Sequence, residues 1–169
     1  MSIRMGLTET VKHRLEVREY ADKPVSDDIE RAVIEAARLA PSSRNRQDWH
    51  FHLIDGDALD DLATVSTSGK WVADAAFVVV VLTDDYPSSG VDVGRAVSHM
   101  QFAAWDHGVG SCIYTGIQEK ALKSRFGIPL ELVSGAVVGF GYPKGSGMGT
   151  KRRRSIAEVV SKNRFGESL

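Results

Sequence analysis

The sequence predicts a layered protein in which helices cover both faces of a central β-sheet. Residues 77–82, FVVVVL, form a continuously apolar, β-branched run that is typical of a strand buried on both faces. Two segments with helical periodicity, residues 29–40 and 91–107, supply apolar stripes that can cover such a strand. With 169 residues, 43% of them hydrophobic, the chain is long enough for one domain and too short for two ordinary ones. Residues 1–169 are therefore predicted to form a single domain.

Charge and cysteine content restrict the class of protein further. The formal net charge is -1, so no global field would attract nucleic acid or an anionic membrane. The single cysteine, Cys112, excludes an internal disulfide, and frequent charges near the N-terminus do not fit a secretory signal. The longest apolar run, residues 75–82, is shorter than the roughly 20 residues that a membrane span needs. We expect a cytoplasmic protein with no nucleic-acid or membrane partner.

The clearest helix begins after Ser26, a good N-cap residue, with Asp27 and Asp28 in its first turn. It should end near Pro41, because proline disfavours the helical conformation in the residue before it. Its apolar positions recur every three or four residues: Ile29, Ala32, Val33, Ala36 and Ala40.

The next segment alternates apolar and polar residues, which is typical of a strand with one buried face. Trp49, Phe51 and Leu53 are predicted to be the buried side. The opposite side carries His50 and His52. Two histidines without a third ligand at a suitable spacing do not make a zinc site, so no metal is predicted.

The rest of the chain alternates helices and strands. The remaining predicted elements are a helix over 91–107, a strand from Ser111, a short helix over 118–126, a strand from Ser134 and a final helical turn over 156–160. Gly139 and Gly141 lie inside or at the end of the last strand. Their missing side chains indicate a bulge or a close approach by another group.

Four segments resemble, in order, motifs of the nitroreductase-like flavoproteins. Residues 14–25, RLEVREYADKPV, resemble the family's opening R-R-S-V-R-x-F-x-x-x-P-V, and residues 40–51, APSSRNRQDWHF, resemble its loop A-P-S-S-x-N-x-Q-P-W. Residues 107–116, HGVGSCIYTG, are similar to G-L-G-S-C-W-x-G-G, and residues 151–160, KRRRSIAEVV, are similar to the closing K-x-R-R-P-x-x-E-V-V. The segments bracket nearly the whole chain, so their joint occurrence is far more specific than any one of them.

The resemblance implies an α+β fold, a three-layer α-β-α arrangement with a mixed, mostly antiparallel central sheet. It also implies an intertwined homodimer with FMN at the interface. The implied reaction is a ping-pong, two-electron reduction in which NADH or NADPH reduces the flavin, and a small-molecule acceptor such as a nitroaromatic or a quinone is then reduced. Because flavin N5 carries the chemistry, no side chain is predicted to be catalytic.

The resemblance also assigns cofactor-binding residues. Arg14, Lys151 and Arg153 match the cations that bind the FMN phosphate, which suits the fork of an arginine and the charge of a lysine. Arg18 matches the basic residue at the N1 and C2 carbonyl edge of the ring, where positive charge raises the reduction potential. The other matching positions are Pro41, Ser42, Ser43 and Asn45, on a loop from the partner subunit, Gln47, which helps to shape that loop, and Thr115 and Gly116, whose backbone lies near the ring and N5.

Three positions depart from the family pattern, and one of them is Leu15, which replaces a second basic residue. Glu16 stands where many relatives have a phosphate-contacting serine. A carboxylate there would repel the phosphate unless it pairs with Arg14 or points away. Asp48 replaces the proline before Trp49, which predicts a looser loop. The chain is also shorter than typical members, so we expect an open site without a lid.

Several alternatives remain open from the sequence. The protein could be a non-catalytic flavin carrier or sensor, or a relative that remodels flavin or removes halogen from an aromatic ring. Residues 151–154, KRRR, could bind nucleic acid, but no set of stacking aromatics accompanies them. Arg14 and Arg18 could be surface charges on a first helix. Cys112 is better explained as a small core residue than as a nucleophile.

Overall fold

The computed structural model describes residues 6–169, in which ten helices and strands and two 3₁₀ turns follow one another. The helices are α1 Leu7–His13, α2 Asp27–Arg38, α3 Ala58–Val65, α4 Ser89–Asp106, α5 Glu119–Phe126 and α6 Ile156–Val159. The strands are β1 Trp49–Asp55, β2 Phe77–Thr83, β3 Gly110–Tyr114 and β4 Val133–Gly141, and the 3₁₀ turns are Ser43–Asn45 and Lys70–Asp74. The bounds of α2, α4 and α5 agree with those predicted to within about two residues, whereas α1 and α3 were not predicted.

The four strands form one sheet in the order β1-β2-β4-β3, and all three neighbouring pairs are antiparallel. The register between β2 and β4 shifts between Val81 and Leu82, where the ladder is locally irregular. The α+β class and the mostly antiparallel sheet are thereby confirmed. The intertwined dimer stays a prediction.

Strand β2 is buried along its whole length, as predicted from its sequence. One face packs into a core with α2 and α4, through residues such as Phe77, Val79 and Val81. The other face packs into a second core with α3 and α5, through Val78 and Val80 among others. Because the two sets alternate along one strand, the sheet separates two helical layers, and the three-layer arrangement is confirmed.

The prediction for β1 is only partly correct. Trp49 and Phe51 pack against the core beneath α2 and α4, but they are only half buried. Leu53 is 36% exposed, and the fully buried residue is its neighbour Ile54. The reason is that β1 forms the edge of the sheet and has no described strand on its outer side, so its core-facing side is incompletely covered. His52 lies edge-on to Phe126, with ring centroids 5.9 Å apart.

The close approach predicted at the glycines of β4 is present. A Cβ atom added at Gly139 would lie 2.6 Å from Cζ3 of Trp71, and one added at Gly141 would lie 2.8 Å from Cδ1 of Tyr20. The Tyr20 hydroxyl also donates to the Gly139 carbonyl at 3.0 Å. Only glycine lets these two rings lie against the strand.

The segment after α1 is extended, so the alternative of a helix carrying Arg14 and Arg18 is wrong. A loop near the C-terminus runs alongside this segment. The Leu15 amide donates to the Gly147 carbonyl at 2.9 Å, and the Lys144 amide donates to the Glu19 carbonyl at 3.0 Å. The pairing brings the cations of residues 151–154 back towards the segment that carries Arg14. None of the helices in the described part is long and apolar enough to cross a membrane.

Candidate functional site

The structure brings Arg14, Lys151 and Arg153 together in one cleft. Arg14 follows the last residue of α1, and an antiparallel bridge to Met148 holds the two segments side by side. The cleft has a volume of about 320 Å³ and is lined by all three cations. Partial burial, and then the neighbouring charges of Arg14 and Arg153, lower the pKa of Lys151. These contacts concentrate positive charge in a small space, which suits a multivalent anion such as a phosphate monoester.

Glu16 lies in the same cleft and pairs with Arg14, which is one of the two arrangements expected from the sequence. Its carboxylate accepts from Arg14 Nη2 at 3.0 Å and from the Ile113 amide at 3.1 Å. Gln101 of α4 donates to both carboxylate oxygens, at 3.3 and 3.2 Å. The carboxylate is therefore fixed, and it offsets part of the positive charge around Arg14.

Arg18 lies beyond Glu16 along the same extended segment. A second cleft of about 370 Å³ is lined by Arg18 and by the glycine-rich loop, including Gly145 and Gly147. Because Glu16 lines both clefts, the clefts are adjacent. Arg18, expected at the ring edge, therefore lies next to the cleft with the cations expected at the phosphate. Behind this segment Cys112 is buried in β3, and burial raises the pKa of its thiol. Cys112 therefore has the character of a core residue.

Thr115 and Gly116 follow β3 directly, and the structure places a second hydroxyl-bearing segment against them. The Thr67 amide donates to the Gly116 carbonyl at 2.7 Å, and the Ser68 side chain occupies the space that a Gly116 side chain would fill. Thr67 and Ser68 were not predicted from the sequence. A run of serine and threonine before a glycine is too common in loops to identify a site.

The loop with Pro41, Ser42, Ser43, Asn45 and Gln47 has an unusual backbone. Of the four non-glycine residues with positive φ in the described chain, three lie here: Arg44, Asn45 and Gln47, with φ of 52°, 56° and 55°. The Gln47 amide donates to Ser42 Oγ at 3.0 Å, and Gln47 Nε2 donates to the Asn45 carbonyl at 3.2 Å. These bonds agree with the shaping role expected for Gln47.

Asp92 in the first turn of α4 and Tyr86 in the connection before it hold this loop, and neither was predicted from the sequence. Asp92 is only 3% exposed, and its carboxylate accepts from the Ser43 amide at 2.9 and 3.1 Å. The Tyr86 hydroxyl donates to the same carboxylate at 2.7 Å, and this bond raises the pKa of Tyr86 to about 12. Asp48, expected to loosen the loop, instead accepts a hydrogen bond from Arg46.

Within one chain the loop and the cationic cleft lie near opposite ends of α4. Asp92 anchors the loop, and Gln101, nine residues further along, contacts Glu16 and Arg14. Nine residues of α-helix span about 14 Å. Across residues 6–169, no hydrogen bond or ion pair joins the loop to Arg14, Lys151 or Arg153. The same part of the chain has no group of three His, Cys, Asp or Glu side chains arranged for a metal ion.

Comparison with known proteins gives concordant matches in sequence and in structure. The sequence matches the Nitroreductase family over residues 11–89 and 67–142. A provisionally named NADH dehydrogenase/NAD(P)H nitroreductase of Archaeoglobus fulgidus is 33% identical over 143 residues, which are 78% of this chain and 82% of that protein.

Two solved structures illustrate the match in fold. A provisionally named nitroreductase from Desulfovibrio desulfuricans, in complex with FMN, has a TM-score of 0.82 at 26% sequence identity. The match covers 96% of this chain and 99% of the chain in that structure. A provisionally named NADH dehydrogenase/NAD(P)H nitroreductase from Bacteroides thetaiotaomicron has a TM-score of 0.84 at 20% identity, with coverage of 95% and 100%.

Proposed function

The chain belongs to the nitroreductase family, and from that premise we propose that it is an FMN-dependent oxidoreductase. It uses NADH or NADPH to reduce small electrophilic acceptors, such as nitroaromatics or quinones, in a ping-pong reaction. The observation that carries this proposal is the convergence of Arg14, Lys151 and Arg153 in one cleft. The relative from Desulfovibrio desulfuricans that contains FMN supports the choice of cofactor.

The residues present fit the chemistry of FMN. Two guanidinium groups and an ammonium group match a phosphate dianion, and Glu16 leaves the cleft with net positive charge. Bound FMN would supply the two-electron chemistry. The proposed contacts are Arg14, Lys151 and Arg153 to the phosphate, Arg18 to the N1 and C2 carbonyl edge, and the backbone of Thr115 and Gly116 near the ring.

These residues bind and orient, and no acidic or basic side chain is required for proton transfer. The rate depends mainly on holding the nicotinamide donor and the flavin close together and correctly oriented, which can supply a large part of the acceleration. Arg18 favours the electron-rich state of the ring and so raises its reduction potential.

A homodimer completes the proposed site. The loop with Pro41, Ser42, Ser43 and Asn45 lies about 14 Å along α4 from the cationic cleft of its own chain. A second copy, related by a twofold axis, would bring its loop to this cleft. The proposed unit is therefore two single-domain chains with two equivalent FMN sites, working in the cytoplasm.

The visible spectrum of the purified protein tests the proposal directly. The protein should be yellow, or become so when FMN is added, and NADH or NADPH should bleach it in the absence of oxygen. A protein that stays colourless with excess FMN contradicts the proposal. Stable FMN binding without oxidation of either reductant, with any acceptor tried, would favour the alternative of a flavin carrier or sensor. Identification of the products would reveal a flavin-remodelling or dehalogenating relative.

Glu16 should weaken FMN binding, because its fixed carboxylate shares Arg14 with the phosphate. We expect Glu16→Gln to tighten FMN binding about tenfold, which corresponds to about 1.4 kcal/mol of relieved repulsion. Riboflavin, which lacks the phosphate, should bind both proteins equally. Titration of each flavin by fluorescence quenching measures both values. Weaker FMN binding by the variant would show that Glu16 helps to hold the phosphate-binding arginine in place.

A further inference from the structure

We propose that Asp92 and Tyr86 are positioning residues that hold the loop of residues 42–48 in its cofactor-binding shape. The inference rests on the proposed function, because it assumes that this loop faces FMN. Neither residue is assigned to the cofactor. Both act through the loop, from the connection before α4 and from its first turn.

The loop needs support because its backbone is unfavourable. Arg44, Asn45 and Gln47 all have positive φ, a region that non-glycine residues seldom adopt and that is least costly for asparagine. Such conformations persist when surrounding contacts determine them. The bonds within the loop, from the Gln47 amide to Ser42 Oγ and from Gln47 Nε2 to the Asn45 carbonyl, do not attach it to the rest of the protein.

Asp92 provides the attachment at the backbone. Both of its carboxylate oxygens accept from the Ser43 amide, at the start of the strained stretch. A carboxylate buried to this degree is costly unless hydrogen bonds compensate for lost water. The Ser43 amide, the Tyr86 hydroxyl and the more distant Arg95 guanidinium, 3.8 Å away, supply that compensation. Release of the loop would therefore leave Asp92 without one of its donors.

Tyr86 provides the second attachment, at the far end of the loop. Its ring lies under the Arg46 guanidinium, 4.6 Å from ring centroid to Cζ. Arg46 in turn donates to Asp48. The same tyrosine thus binds Asp92 through its hydroxyl and the loop through its ring. The Asp92 attachment uses Ser43 only through its amide, and the Tyr86 attachment uses the side chain of Arg46. The side chains of Ser43 and Asn45 are therefore left available to a ligand.

A loop that is already ordered loses less conformational freedom when a ligand binds. Loss of Asp92 or Tyr86 should therefore weaken flavin binding even where the chain stays folded. The effect should be equal for FMN and riboflavin, because the hydroxyl and amide groups of this loop suit the polar rim of the flavin ring, which both molecules share. An equal loss for both flavins distinguishes a change in the loop from a change in the cleft around Arg14. A change in that cleft should affect FMN more than riboflavin.

The test compares Asp92→Asn and Tyr86→Phe with a matched control, Asp85→Asn. Asp85 is exposed in the same connection, so its replacement removes the same charge without touching the loop. We expect Asp92→Asn to weaken the binding of FMN and of riboflavin about tenfold each, and Tyr86→Phe to weaken the binding of both about threefold. Asp85→Asn should leave both affinities within about twofold of wild type. In the flavin-free protein, hydrogen exchange at the Ser43 amide should be faster in Asp92→Asn than in wild type.

The possible results separate the inference from the function on which it rests. A wild-type protein that binds no flavin overturns the proposed function, whereas the exchange measurement still tests the anchor. Wild-type flavin affinity in both loop variants would overturn the inference. Unchanged Ser43 exchange in Asp92→Asn would overturn it as well. If Asp92→Asn fails to fold, Tyr86→Phe keeps the packing of the ring and decides the question alone.

Discussion

Replacing Arg14 with alanine should weaken FMN binding by about 100-fold, or about 2.8 kcal/mol, because a charged hydrogen-bonding partner of the phosphate is lost. Riboflavin binding should change little, since riboflavin has no phosphate. Arg14→Lys should fall between wild type and Arg14→Ala, because lysine keeps the charge but loses the planar fork. Fluorescence titration with the two flavins gives the ratio of affinities, which isolates the phosphate contribution.

A matched control for Arg14 is Lys120→Ala, which removes an exposed cation from α5 outside both clefts. It should leave both flavin affinities unchanged. Because Arg14→Ala also leaves Glu16 without its arginine partner, the variant should be repeated in a Glu16→Gln background. Equal losses of FMN and riboflavin affinity in both backgrounds would mean that Arg14 supports the fold around the site and does not bind the phosphate.

Replacing Gly139 with alanine should lower the free energy of unfolding by about 2 to 3 kcal/mol, the usual cost of overpacking a dense core. The added methyl group would lie 2.6 Å from Cζ3 of Trp71 and 3.4 Å from the Tyr20 hydroxyl, so a ring or the strand must move. The corresponding fall in melting temperature is about 4 to 12 °C for a chain of this size. Thermal and urea unfolding measure both quantities.

Gly90→Ala is the control for Gly139, since an added Cβ there would meet no atom within 4 Å apart from its chain neighbours and the backbone of its own helix. Its stability should stay within about 0.5 kcal/mol of wild type or rise slightly, as alanine favours helix. In a Trp71→Leu background the penalty at Gly139 should shrink, because the clashing ring is gone. A full penalty in that background would locate the strain in the backbone of β4.

The fold was predictable where a local pattern matched a well-covered element. The apolar repeat of α2 and the continuous run of β2 each identified an element correctly. Helix α3 was not predicted, although Leu59, Leu62 and Val65 are all buried on one side. The exposure of Leu53 was not predictable, because it depends on β1 being at the sheet edge, which is set by strand order.

In the candidate site, too, residues in local motifs were predictable from the sequence, whereas contacts between residues far apart in the chain were not. Arg14, Lys151 and the loop before Trp49 could be predicted as parts of a site because each lies in a short pattern that resembles a motif of the family. The partners that hold them could not. Asp92 is 49 residues from Ser43, and Gln101 is 85 residues from Glu16, so the chain must fold before either pair exists. Nothing around Asp92 in the sequence indicates an anchor.

The burial of Cys112 provides a natural probe of local opening. It is the chain's single cysteine, it is 1% exposed, and it faces Gly139 across the β3–β4 ladder. A thiol reagent can reach it only when the structure around β3 opens, because a buried thiol with a raised pKa is unreactive. The alkylation rate of the unmodified protein therefore measures how often the structure around β3 opens, without any engineered label.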